Sequence, residues 1–479
     1  LSSRGGRFRV NRIVKNQSPH GNVGTIHTLG GIEIMQKTKS ETKGISRRKF
    51  TQTAAGFGIA ALAAGPFPGR VLGANDRINL AAIGVHGMGT YNAEQLMQVP
   101  GVQFSDVCDV DQREVEKFQN LFEDKYQLKL EGHKDFRRVL EKKDVDAVSI
   151  ATPDHWHALI FVQACEAGKD IYCEKPISHN IVEGRAMVNA AKKFNRVVQI
   201  GSWQRSVQHF QDAIDFVRSG KLGTITLCRA WLNSNSDGMG FRRPSAPPEG
   251  VDYDFWLGPA PFSLFQENRF HWNWRWWFDF AGGQTADWGV HMIDIVCLAM
   301  GDWDPLEISS FGGNFFIQDG RDTPDTQIAI FKFRNFVLHW EVRWGNERGL
   351  DGFSSGHGSQ WIGRNGQLGV NREKWEVFAE GRGDNLRLEE KPETVNPIPN
   401  SHHANFIECM RTRQTPRSDI ESMHKTTVLC HLANIAFRTG KKLEWDASRE
   451  IITNEPAAMD CPQYRREYRA PWKLPVYSL

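Results

Sequence analysis

Between residues 78 and 200, short apolar runs alternate with longer stretches of helical character, and this alternation constrains the fold more than any other feature of the chain. The runs at 78–83, 102–107, 146–150, 171–173 and 197–200 have the length and apolar content of buried strands. Helical stretches at 91–98, 114–126, around 136–140, up to Ala167 and at 181–194 separate them. Strands joined through helices become parallel neighbours by right-handed crossovers. A doubly wound parallel sheet, α/β in class, is therefore expected for this half.

The first run ends in Gly84-Val85-His86-Gly87-Met88-Gly89. Glycines between a strand and a helix let backbone amides and the helix N-terminus approach a pyrophosphate. Gly84 and Gly89 take the first and third positions of the Gly-x-Gly-x-x-Gly pattern, while His86 stands at the second, beside Gly87, which is placed to shift the tight turn. The second run leads to Asp109, about twenty residues beyond Gly89, where a carboxylate meets the adenosine ribose hydroxyls. It would repel a 2′-phosphate, which favours NAD over NADP. The structural alternative makes Asp109 the cap of a helix beginning at Gln112.

The stretch Asp170-Ile171-Tyr172-Cys173-Glu174-Lys175-Pro176 runs a buried strand into a charged pair and a proline that cannot extend a ladder. Ligands of open α/β sheets bind beyond the carboxyl ends of the strands. Lys175 is thus a candidate for touching a substrate, the alternative being an ordinary Glu-Lys pair at a surface turn.

A chain of 479 residues is too long for one ordinary domain. Before the first strand, Ser46-Arg47-Arg48-Lys49-Phe50 precedes a weakly apolar run at 54–64, too short and too rich in glycine and alanine to span a membrane. It reads as a twin-arginine export signal, which implies a periplasmic or otherwise exported protein. Residues 1–34 precede Met35 and read as an over-extended start. The organisation expected is an extension and signal at 1–74, a nucleotide-binding domain at 75–202 and a substrate and oligomerisation domain at 203–479. With 59 basic and 56 acidic residues, net +3, phosphate neutralisation of a nucleic acid has no support. Of eight cysteines, Cys108, Cys165, Cys173, Cys228, Cys297 and Cys430 fall within apolar patterns and read as buried hydrophobes. With no Cys-x-x-Cys pair, no metal is expected.

Thr152-Pro153 with His157, then Glu174-Lys175-Pro176, then Val198-Gln199-Ile200-Gly201 together resemble the Gfo/Idh/MocA oxidoreductase family, from about residue 78 to the C-terminus, and most closely its exported twin-arginine branch. The resemblance implies an N-terminal Rossmann-type sheet and a C-terminal α+β domain with a large, mostly antiparallel sheet. It places the cofactor against Gly84, His86, Gly87, Met88, Gly89, Asp109, Thr152, Pro153, His157 and Glu174. Thr152-Pro153 would lie at the nicotinamide end, and Lys175 would reach the substrate hydroxyl.

In the second half, a helix carries Asp287, His291 and Asp294, one turn apart on one face. A carboxylate and an imidazole so spaced share a substrate hydroxyl or tune one another, or form an ordinary surface pair. In the resembled family an Asp-x-x-x-His helix faces the nicotinamide, and Asp287 and His291 match it. Asp294 would hold the imidazole.

The loop at 233–283 has little periodic signal, yet many of the sixteen tryptophans lie there. Trp272, Trp274, Arg275 and Trp276 read either as sugar contacts or as a packed lid. Arg205 and His403 are further substrate candidates. Glycine-rich 352–369 suggests hairpin turns, and the tail at 464–479 an arm clasping a neighbouring subunit of a homo-oligomer. The reading as a whole is an NAD-dependent oxidoreductase acting on a sugar or polyol hydroxyl, with Lys175, Asp287 and His291 catalytic. Rivals are a redox-type glycosidase, a sugar-to-sugar oxidoreductase with permanently bound cofactor, and a silent sugar-binding protein.

Overall fold

The computed structural model describes residues 77–349, 356–380 and 401–478. The export signal and the residues before it lie outside them. Six parallel strands, β1 (Ile78–Ile83), β2 (Val102–Cys108), β3 (Glu131–His133), β4 (Ala147–Ile150), β5 (Asp170–Cys173) and β6 (Val198–Ile200), lie in the order β3-β2-β1-β4-β5-β6. The strand order reverses at β1, between β2 and β4, which opens a crevice above the carboxyl ends. Five helices connect or follow these strands: α1 (Met88–Met97), α2 (Gln112–Tyr126), α3 (Phe136–Leu140), α4 (Asp154–Glu166) and α5 (Ile181–Lys193). The expected strands are all present. The short β3 is an addition, because Glu131-Gly132-His133 has no apolar signature and pairs only as an edge on β2.

The second sheet follows α6 (Gln208–Arg218). Its strands are β7 (Ile225–Ser234), β8 (Glu307–Gly313), β9 (Thr326–Lys332), β10 (Val337–Trp344), β11 (His357–Gly363), β12 (Gly366–Val370), β13 (Trp375–Ala379), β14 (Leu443–Asp446) and β15 (Ile451–Ile452), in the order β13-β12-β11-β7-β10-β9-β8-β14-β15. Only the central β7–β10 pair is parallel. On β9 and β10 every second residue is buried, so one face covers a core and the other is left open. The described part of the glycine-rich stretch forms the β11–β12 hairpin, as expected.

The covered face packs against α9 (Gly289–Met300) and α11 (Ile420–Thr439), and α8 (Gly283–Asp287) is tied to it where Thr285 donates to Gln327 Oε1 and accepts from Trp340 Nε1. The open face presents Phe311, Ile328 and Ile330. The helix α10 (Ser401–Thr412) instead adds Phe406, Ile407 and Met410 to the apolar layer of the first sheet. Among the described residues no helix is long and apolar enough to cross a membrane. All eight cysteines are free, and the six expected in the core are buried.

The structure adds detail to two stretches. The loop at 233–283 contains α7 (Tyr253–Leu257) and two 3₁₀ turns, Glu267–Arg269 and His271–Trp276. Aromatic packing orders these turns without any repeating pattern. The tail packs along its own chain. Its Gln463 and Tyr464 carbonyls accept from the amides of Ile181 and Val182, Arg466 pairs with Glu183 at 2.7 Å, and Trp472 packs edge-on against Trp156. The apolar surface of Trp156 and Phe255 gives this arm a seat on its own chain.

Candidate active site

The turn after β1 is built for close backbone approach. Gly84 has φ +80°, and a Cβ there would lie 2.8 Å from Ala151 C and Thr152 N. A Cβ on Gly89 would overlap Gly84 O, so strand and helix α1 touch here. Gly87, at φ +61° with open space around it, supplies the N-cap of α1. His86 does not fill the turn. Its exposed ring stacks on His271, 4.5 Å between centroids, and His271 Nε2 lies 2.9 Å from Asp111 Oδ2. In place of the missing second glycine, His86 thus adds its ring to the cleft wall.

The capping alternative for Asp109 fails. The side chain of Asp111, not Asp109, caps α2 by accepting from Arg113 N. Asp109 Oδ2 instead accepts from Val85 N at 2.9 Å and lies in the cleft wall with the glycine turn. Burial raises its carboxyl to about 6 against the pull of two backbone N–H bonds.

At the end of β5, Glu174 is buried and accepts from Asn92 Nδ2 at 2.8 Å. Gly201 makes room for it, since a Cβ there would stand 2.6 Å from its Oε1. Burial raises the Glu174 carboxyl, opposed by Asn92 and Lys175. Lys175 Nζ donates to Asp287 Oδ1 at 2.5 Å and to its backbone O at 2.8 Å. Arg275 Nε lies 3.4 Å from the other carboxylate oxygen. Burial disfavours the Asp287 charge, yet the Lys175 and Arg275 cations hold the carboxyl down at about 2.

The Asp287–His291 helix is in fact two helices that meet at Trp288. Asp287 ends α8 and His291 lies in the first turn of α9, so Asp287 binds Lys175 rather than the imidazole. His291 Nδ1 is buried without a protein partner. Burial, then the charges of Lys175 and Arg372, push its pKa well below the usual value, which keeps the ring neutral.

Four expected site residues take other roles. Asp294 does not hold His291: it pairs with Arg205, at 2.6 Å from Nη2 and 2.8 Å from Nε. That pair, with Ser422 and the Arg417 carbonyl, occupies the Arg205 guanidinium in the core, so Arg205 is not a substrate ligand. His157 does not face the cleft, because its ring nitrogens lie 2.8 Å from the carbonyl oxygens of Pro176 and Thr152 and tie the two motif turns together. His403 is a layer beneath the site, with Nε2 3.1 Å from Asn92 Oδ1 and its ring stacked on Tyr172.

The tryptophan loop does reach the site. Trp272, Trp274 and Arg275 wall the same cleft as Gly84, His86, Gly87, Met88, Thr152, Pro153 and Lys175. Trp276 lies outside that cleft, packed on Trp344 and bordering a second cavity that shares Arg275 and Asp287. Two buried atoms in or beside the first cleft, Thr152 Oγ1 and Asp154 Oδ1, have no protein partner. Together with the glycine cradle and Asp109, these orphaned groups fit a dinucleotide.

Sequence reading missed Asn92, Asp154, His271 and Arg372. Asp154 sits inside the Thr-Pro motif and was open to inspection; the other three join the site only through tertiary packing. It also missed the cluster of Asp106, Glu131 and His133, into which Lys142 inserts its own charge, 2.8 Å from Asp106 Oδ1.

Sequence profiles agree with this architecture. Residues 78–202 match the NAD-binding Rossmann fold of the Gfo/Idh/MocA oxidoreductase family, and residues 231–314 and 362–474 match a C-terminal α/β domain of the same family. The chain belongs to the Gfo/Idh/MocA family. Its first sheet is accordingly an NAD-binding Rossmann domain. An inositol 2-dehydrogenase of Rubrobacter xylanophilus is 30% identical over 34% of this chain and 46% of its own length. Other curated relatives are likewise matched over less than half of their length, at 42% and 37%. A scyllo-inositol 2-dehydrogenase (NAD(+)) of Bacillus subtilis is 24% identical over 78% of this chain and 98% of its own. The fold is that of a levoglucosan dehydrogenase solved with NADH, with TM-score 0.60, 17% identity and coverage of 77% of this chain and 99% of that one.

Proposed function

We propose that this protein is an NAD-dependent oxidoreductase that oxidises a secondary hydroxyl of a sugar or polyol. The observation that carries the reading is Lys175, fixed at the end of β5 by two bonds to Asp287 inside the cleft that holds the glycine turn. Bound NAD supplies the acceptor for the hydride that leaves the carbinol carbon. Gly84, Gly87 and Gly89 give the pyrophosphate its approach, and Asp109 takes the adenosine ribose. Thr152 and Asp154 offer their unpartnered oxygens at the other end of the cofactor. An ammonium has three donors, and Asp287 uses two, so Lys175 has one left for the substrate oxygen, whose developing negative charge it stabilises. His291, neutral with a free Nδ1, takes the hydroxyl proton.

A nucleotide retained between turnovers is favoured by the aromatic loop, since Phe255, Trp256, His271, Trp272 and Trp274 all wall the nucleotide cleft. In this reading the twin-arginine segment exports the loaded protein, and the open sheet face with Phe311, Ile328 and Ile330 forms a homo-oligomer. The test is to denature the purified protein and identify the released nucleotide, then assay the intact protein with sugars, polyols and aryl glycosides. Release of NAD with substrate-dependent absorbance at the reduced-cofactor band is expected. Glycoside cleavage without net reduction would replace the dehydrogenase by a redox-type glycosidase, and an inert protein would leave only a binding role.

A further inference from the structure

On the far side of Asp287 from the glycine turn lies a cation that, among the described residues, forms no ion pair. Arg372, in the turn between β12 and β13, has its guanidinium carbon 4.7 Å from the Trp203 ring centroid and 4.2 Å from that of Trp288. Its Nε donates to Gln204 Oε1 at 3.2 Å. Among the described residues its two terminal nitrogens take no hydrogen bond and no ion pair. Two indole rings and a glutamine thus fix the guanidinium before any ligand arrives.

The charge around it is unbalanced. Asp287 is the carboxylate whose charge Arg372 feels, and Lys175 and Arg275 already engage both Asp287 oxygens. Burial, only partly offset by Asp287, lowers the Arg372 guanidinium to about 10, as expected for a cation short of a partner. A half-buried arginine is costly without an anion or equivalent polar partner. The dinucleotide is poorly placed to supply one, because Arg372 does not border the cleft at Gly84–Gly89. It stands instead beside Trp288 and His291, on the substrate side.

We infer that Arg372 is a specificity residue that receives a carboxylate of the substrate, so that the protein acts on a sugar acid rather than a neutral sugar. The inference rests on the oxidoreductase reading of the same site. The two free terminal nitrogens form a planar fork that matches a carboxylate bidentately. Trp203 and Trp288 hold that fork rigid, and a substrate so anchored presents a ring hydroxyl to Lys175 and His291.

The test uses the loaded protein with D-glucuronate and D-galacturonate against D-glucose and D-galactose, read by calorimetric binding and by cofactor reduction. Acids are expected to exceed their neutral counterparts in affinity and in kcat/KM by roughly 10- to 100-fold, the value of a hydrogen-bonded charge pair. Arg372→Met removes this preference, and Arg372→Lys restores part of it. Neutral sugars bound or turned over as well as the acids, binding of neither acid, or an unchanged acid-to-neutral ratio in a folded Arg372→Met protein would each overturn the inference. If Arg372→Met does not fold, the wild-type comparison decides alone. Acids that bind without reducing the cofactor leave the anion site standing and strike only at the oxidoreductase reading.

Discussion

Lys175 Nζ bridges two domains by bonding both Oδ1 and the backbone oxygen of Asp287, at 2.5 and 2.8 Å. One residue ends a Rossmann strand and the other ends a helix under the second sheet, so the bond sets the width of the site as well as its charge. Lys175→Met keeps the side-chain length and removes the donor. Turnover is expected to fall roughly 10²- to 10⁴-fold, with bound nucleotide per chain unchanged, as measured by steady-state kinetics and nucleotide release. A variant that lost its nucleotide would mark Lys175 as a cofactor ligand instead.

The same pair makes stability depend on acid. The Asp287 carboxyl is held at about 2 in the folded chain, below its value of about 3.9 when unfolded. Its contribution is therefore present above pH 4 and lost as pH falls through 2. By linkage it is worth about 2.6 kcal/mol at neutral pH. Denaturant unfolding of the wild type and Asp287→Asn should show this gap at pH 7, narrowed to roughly half by pH 3. A gap of equal size at both pH values would mean that Asn damages packing rather than charge.

The first sheet was legible because its signals are local: apolar runs, a glycine turn and the Glu-Lys-Pro end of β5. The site was legible where a motif residue faces the cleft, as Lys175, Asp109 and Asp287 do. It was misread where a side chain near the motif turned inward. In one dimension Arg205 reads as a substrate contact and Asp294 as a support for the imidazole, yet they lie 2% and 0% exposed against each other. Helical spacing put His291 beside Asp287, whereas Trp288 breaks that helix. Arg372 was invisible, because nothing in Asn371-Arg372-Glu373 says that the turn from β12 to the edge strand β13 folds over Trp288.

Asp109 should make cofactor choice depend on pH. Its carboxyl, raised to about 6 by burial, is charged above that value and neutral below it. The charged form repels a 2′-phosphate and the neutral form does not. The preference for NAD over NADP, measured by titrating the emptied and refilled protein, is expected to grow between pH 5 and about pH 8, across the titration of this group. Asp109→Asn should show the weak preference at every pH. A wild-type ratio that stays flat across the range would remove Asp109 from the ribose site.

Arg205 and Asp294 provide the converse test, of a pair that supports the site without entering it. Both lie in the core, joined by two bonds and backed by Ser422 and Thr426. Removing one partner leaves the other charge buried and unpaired, so Asp294→Ala is expected to cost roughly 3–5 kcal/mol in denaturant unfolding. Replacing both, as Arg205→Met with Asp294→Leu, should cost less than the single change, because no charge is stranded. The KM of the folded double variant should match that of the wild type, since neither side chain reaches substrate. A variant of undiminished stability with a KM raised about tenfold, equal to about 1.4 kcal/mol of binding, would return Arg205 to the substrate.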